Sequence, residues 1–139
     1  MTGDDKTNAP LFGDGAGTSD RTLFDADRIP AMVFVYRADG RCDYRNQRYY
    51  NLTGLDPVRD GDSRWGAALH PDDHAPVRER WRESVLLNVP FEGRYRLRMA
   101  DGTYRWHVER AEPHYDDGTE AILWYGVAID IHGLPDSPP

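Results

Sequence analysis

A single cysteine, Cys42, stands in a chain of 139 residues. It excludes an internal disulfide and any zinc site built on several thiolates. Lysine is as scarce: Lys6 is the only one among 17 basic residues, and the rest are arginine. Positive charge is in deficit, because 24 acidic residues bring the formal net charge to −7. That balance argues against nucleic acid or an anionic membrane as a partner, since both need clustered positive charge. No apolar run approaches the roughly 20 residues of a membrane helix. The longest, 121–129, is interrupted by Gly126. The N-terminus lacks the basic-then-apolar order of a signal peptide. Length and composition together lead us to expect one soluble, cytoplasmic domain.

Aromatic residues are plentiful by contrast, with four Trp, eight Tyr and four Phe. Each buries a large area, so a compact core is within reach although only 39% of residues are apolar. Residues 1–22 are acidic and glycine-rich with few apolar anchors, and read as a flexible leader. Residues 23–132 form the expected domain, and 133–139, with three prolines, a linker remnant.

Strand signals occupy 31–37 and 41–45, joined at Ala38-Asp39-Gly40. Asn46 opens a short helix over 47–53 that Gly54 can end in a left-handed cap. Residues 55–69 read as turns, with Trp65 as their anchor. A longer helix over 74–88 carries Val77, Trp81 and Val85 as one apolar stripe, with Asp73 as N-cap and Pro90 as its stop. Strands at 91–99, 103–114 and 120–131 follow, separated by Asp101-Gly102 and Asp117-Gly118. The fold class is α+β, an antiparallel sheet with the helices inserted after its second strand and packed on one face.

Candidate chemistry is sparse. His70-Pro71-Asp72-Asp73-His74 is the densest group of metal-capable side chains. Pro71 and a capping Asp73 oppose placing both histidines on one helix face, so a helix start is expected there and no metal. Cys42 has no adjacent His or Lys to lower its pKa, and reads as a structural thiol. Arg94, Arg96 and Arg98 alternate along one strand and read as a solvated, salt-bridged face with Glu92, Glu109 and Glu112 nearby. No phosphate-cradling loop, nucleophile triad or paired catalytic carboxylates stand out.

Five fragments, in order, resemble the PAS sensory domains. They are His70-Pro71-Asp72-Asp73, Arg96-Leu97-Arg98 before Asp101-Gly102, Tyr104-Arg105-Trp106, Asp117-Gly118, and the closing Gly126-Val127-Ala128-Ile129-Asp130-Ile131. The resemblance covers residues 28–132 and is nearest to the subgroup found in bacterial sensor histidine kinases and diguanylate cyclases. It implies a five-stranded antiparallel sheet and a module that senses a small ligand, dimerises and transmits to an output domain or partner, without catalysing. Flavin-binding relatives carry a Cys in the middle helices, and 47–69 has none. Haem-binding relatives often carry a His near the end of the long helix, where Asn88-Val89-Pro90 stand. Neither haem nor flavin is therefore expected; an unidentified small ligand is. No phosphoacceptor helix, ATP-binding glycine motif or cyclase Gly-Gly-Glu motif occurs, so the chain reads as a fragment or a stand-alone module.

The register of 103–111 decides which side chains meet a ligand. A two-residue turn at Asp101-Gly102 turns Trp106 and Val108 inward, and hydrophobicity favours it. A three-residue loop bulged at Gly102 turns His107 and Glu109 inward instead, and the resemblance favours that. With the second register adopted, the inner face holds Phe34, Tyr36, Cys42, Tyr44, Tyr95, Leu97, His107, Glu109, Trp124 and Ala128, with Trp81 facing them from the helix. All but Cys42 are pocket candidates, Tyr95, His107 and Trp124 foremost, and Glu109 or a ligand anion is the expected partner of His107. The outer face then shows Trp106, Val108, Tyr125, Val127 and Ile129, too apolar a set for water and a candidate homodimer interface. A transcriptional regulator is a further possible parent. A reading of another class, a small enzyme with His107 and Glu109 as acid and base, lacks a third orienting group.

Overall fold

The computed structural model describes residues 25–60 and 66–135. The expected leader, Trp65 and the last four residues of the tail lie outside these. Strands β1 (Met32–Arg37), β2 (Cys42–Arg45), β3 (Phe91–Arg98), β4 (Tyr104–Asp116) and β5 (Ala121–Asp130) form one sheet in the order β2-β1-β5-β4-β3. Every adjacent pair is antiparallel. Helices α1 (Gln47–Thr53), α2 (Pro57–Asp60) and α3 (His74–Leu87) fall between β2 and β3, with short 3-10 turns at Ala26–Arg28 and Pro71–Asp73. α2 lies in the stretch that reads as turns from sequence; Asp56 Oδ1 accepts from the Val58 and Arg59 N–H groups and so caps it.

The β3–β4 hairpin has the bulged register. Arg98 faces Tyr104, Tyr95 faces His107 and Gly93 faces Glu109. Met99 N–H donates to Thr103 O, which closes a three-residue loop, and Gly102 takes φ +90° in it. Only glycine enters that region without strain, so Gly102 sets which way every following side chain points.

β3 is an edge strand, and the segment before α3 covers it. Leu69 bridges Leu97, His70 N–H donates to Arg96 O, and Arg98 N–H donates to Ala68 O. Asp73 completes the seal by accepting from Arg96 N–H at 2.7 Å and from its guanidinium at 2.6 and 3.0 Å. The Arg96–Arg98 end of the edge is thereby paired and offers little to another chain. Asp73 stands at the N-cap of α3 but makes no capping bond, contrary to the sequence reading. Partial burial alone would raise its carboxyl; the Arg96 side chain and backbone N–H outweigh that and hold it below the ordinary value. Arg96 likewise answers Asp73, not the glutamates expected from the strand pattern, and Glu109 lies on the opposite face.

α3 buries Val77 and Trp81 as its stripe requires, but Ser84 is also buried while Val85 is only half-buried. The helix stops one residue earlier than expected, because Asn88 adopts the left-handed cap before Pro90 is reached. Asn46, completely buried, does more than open α1. Its Oδ1 accepts from Val33 N–H, and its Nδ2 donates to Ala26 O and Ala31 O. The capping bond of α1 comes from elsewhere, Gln47 N–H donating to Asp27 Oδ1.

Candidate functional site

Four small residues surround Glu109 on the inner sheet face. Gly93 and Ala128 flank it directly on β3 and β5, and the next cross-strand row contributes Ala111 and Gly126. Large rings rise around them: Phe34 and Tyr36 from β1, Phe91 and Tyr95 from β3, Trp81 from α3 and Tyr49 from α1. These rings enclose a cavity together with Glu109, Leu69, Val77, Leu97 and Arg45. The space open to the centre of a water molecule is about 20 Å³, room for one water.

The cavity's polar groups are few and buried. Glu109 is 3% exposed. Its Oε1 accepts from the Tyr95 hydroxyl at 2.5 Å and from that of Tyr36 at 3.4 Å. Its Oε2 has no hydrogen-bond partner among the described residues, while the buried Tyr49 hydroxyl lies beside Gly66 and the Ala68 backbone. Oε2 lies against Gly126, where an added Cβ would stand 2.8 Å away. Burial drives the Glu109 carboxyl up to about 7, although both tyrosine hydroxyls and the Arg45 charge pull it down. Near neutral pH it is divided between acid and carboxylate.

The structure gathers six of the pocket candidates at this cavity, Phe34, Tyr36, Trp81, Tyr95, Leu97 and Glu109, while Ala128 stands beside Glu109 on β5 outside the lining. His107 and Trp124 face the same side but lie outside the lining. His107 is fully buried with Nδ1 2.9 Å from Arg105 O, so a backbone carbonyl is its partner in place of Glu109. Burial lowers its pKa and keeps the ring neutral. Trp124 packs against Trp81 with the rings tilted at 57° and their centroids 5.0 Å apart. Tyr44 corrects the sequence reading outright. β2 is bulged, pairing Tyr36 with Cys42 but Val35 with Tyr44, so the alternation breaks at Asp43. Tyr44 turns outward to Asp27, and Arg45 goes inside in its place, 7% exposed and 5.1 Å above the Tyr49 ring. Sequence reasoning missed Arg45 for that reason. It also missed Tyr49, for which the i, i+4 spacing with buried Thr53 was the available signal.

Cys42 packs against the core, donates to Tyr44 O at 3.1 Å, and burial pushes its thiol up to about 11. The His70–His74 group is spent on structure. His70 Nδ1 accepts from Asp72 N–H, and His74 Nε2 lies 3.2 Å from Leu69 O. On the outer face, Val127 and Ile129 are 45% and 49% exposed, while Trp106, Val108 and Tyr125 are half-covered. Arg96 lies over the Trp106 ring at 4.9 Å. No helix among the described residues is long and apolar enough to cross a membrane.

Residues 43–128 match the PAS-fold family model. The chain belongs to the PAS family. Protein y4lL of Sinorhizobium fredii is 33% identical over 106 residues, which cover 76% of this chain and 13% of that protein. The peroxide stress-activated histidine kinase mak2 of Schizosaccharomyces pombe is 30% identical over 107 residues, 76% of this chain and 4% of the kinase. This PAS chain thus spans a small part of either relative. Among solved structures, the PAS domain of an HTR-like protein from Haloarcula marismortui superimposes with a TM-score of 0.59 at 19% identity, covering 76% of this chain and 84% of that one. The PAS fold places Glu109 and its ring of aromatic side chains in the cleft between sheet and helices.

Proposed function

We propose that this PAS domain is a sensory module that takes a small ligand into the Glu109 cavity and carries the signal to an output domain of a bacterial sensor histidine kinase. A buried Glu109 oxygen without a partner among the described residues, on a side chain lining an aromatic-walled cavity, is what supports the reading. It costs stability unless something meets it, and a ligand is one way to do so. The module itself is non-catalytic on this reading: the hydrogen bonds of His107 and Glu109 run to different partners and assemble no acid–base pair. A diguanylate cyclase or a transcriptional regulator is the alternative parent. Mass spectrometry of small molecules retained through native purification is expected to find one bound near stoichiometrically. Saturable binding without turnover, and no haem or flavin absorbance, should accompany it. Turnover of a bound compound, or no saturable binding across a fragment library, would refute the sensor reading.

Val127 and Ile129 favour a second element, self-association through the outer sheet face. Their exposed side chains lie on the strand whose inner face carries Gly126 and Ala128, so one strand links cavity and surface. Sedimentation is expected to show a dimer that Val127→Arg shifts to monomer. A wild type that stays monomeric at high concentration would remove this element.

A further inference from the structure

Glu109 Oε2 asks for a particular chemistry. In the carboxylate form Oε2 only accepts, so the group that meets it there must donate. Its sister oxygen is already served by Tyr95 and Tyr36, so the attachment point on this carboxylate is Oε2. Phe34, Trp81 and Phe91 line the same cavity with apolar rings. Arg45 shares the lining and disfavours a second cation beside it. Tyr49, whose hydroxyl can donate or accept, completes the lining.

We propose that the cavity selects a small, uncharged, planar ring compound bearing an N–H or O–H donor, anchored on Glu109 Oε2. This rests on the cavity being the sensing site. Gly126 is the positioning residue for that anchor. A Cβ at Gly126 would meet Oε2 at 2.8 Å and Ala111 Cβ at 3.1 Å, so the carboxylate reaches its place only over a glycine. The present cavity holds about one water, so entry of a ring requires the aromatic walls to part.

Three five-membered rings of similar size separate the possibilities at pH 8, where the carboxylate form of Glu109 prevails. Pyrrole carries an N–H and no charge, furan lacks the donor, and pyrrolidine is a cation. Chemical-shift titration in ¹H–¹⁵N spectra, followed at the Trp81 indole N–H and the Glu109 amide, gives each affinity. Pyrrole is expected to bind at least tenfold more tightly than furan or pyrrolidine. Glu109→Met, which keeps the length but has no acceptor oxygen, should reduce the pyrrole-over-furan preference to threefold or less. Val77→Ala, which enlarges the cavity from the helix side, should tighten all three while keeping their order. Equal binding of pyrrole and furan would overturn the donor assignment and leave the sensing pocket standing. Tightest binding by pyrrolidine would overturn the uncharged class. No binding of any ring to the wild type or to Val77→Ala would overturn the pocket reading and this one together.

Discussion

Trp81→Ala is expected to cost about 3–5 kcal/mol, the range for emptying a buried aromatic site. Trp81 is 4% exposed and is the point where helix and sheet lock together. Its ring meets Tyr36, Phe91 and Trp124 at centroid distances of 5.3, 5.5 and 5.0 Å. Its indole N–H donates to Ala38 O, beside the β1–β2 turn, at 2.9 Å. Truncation therefore removes a large apolar body, three ring contacts and a tie from α3 to that carbonyl. Collapse cannot heal the gap, because β1, β3 and β5 are fixed by their ladders on the opposite wall. Urea unfolding of the two proteins at one pH reads the difference. A loss below about 1 kcal/mol would mean that the walls relax into the gap. Trp81→Phe should recover more than half of the loss, since it restores most of the ring volume but not the N–H donor.

The long helix and its buried stripe were legible because Val77 and Trp81 stand at helical spacing, a signal that survives without tertiary information. Strand order and the Gln47–Thr53 helix with its Gly54 cap were legible for similar local reasons. The β3–β4 register was not legible from hydrophobicity, which pointed the wrong way. Trp106 and Val108 are the more apolar pair, yet the chain turns His107 and Glu109 inward because Gly102 supplies the positive φ of a three-residue loop. Only the family resemblance favoured that register. The β2 bulge left no mark at all. Cys42, Asp43, Tyr44 and Arg45 alternate as plausibly without it, and the one-residue slip exchanges Tyr44 for Arg45 in the interior. Asp73 misled differently. As a helix-start carboxylate its capping role is the usual expectation, but the unpaired Arg96 N–H on the β3 edge competes for the same oxygen and wins with a guanidinium added. For Asp73 a contact distant in sequence decided the outcome.

Stability should fall as pH rises through neutrality, and Glu109 is the cause. Its ordinary carboxyl value is 4.5, and burial raises it to about 7 in the folded chain. A raised acid favours the protonated form when folded, so its contribution is complete below about pH 4.5 and is lost as pH climbs through 7. The full swing is about 3 kcal/mol, and most of it is spent by pH 8. Asp73 and Asp130 are held below their ordinary values, so their stabilisation is lost only as pH falls below about 4. His107 does fall in the same window with the opposite sign: its lowered pKa makes the fold gain stability as pH rises through about 6.5. The wild-type curve therefore mixes the two, and the variant isolates one. Glu109→Gln keeps the side-chain shape and cannot ionise, so only the His107 rise should remain. The two proteins are expected to be similarly stable at pH 5, and the variant more stable by up to about 3 kcal/mol at pH 8. Tyr36 and Tyr95 do not confuse the comparison, because burial, then the Glu109 charge, pushes both hydroxyls well above their usual range. Urea midpoints from pH 5 to 8 give both curves, and parallel curves would mean that the Glu109 carboxyl is solvated far better than its burial implies.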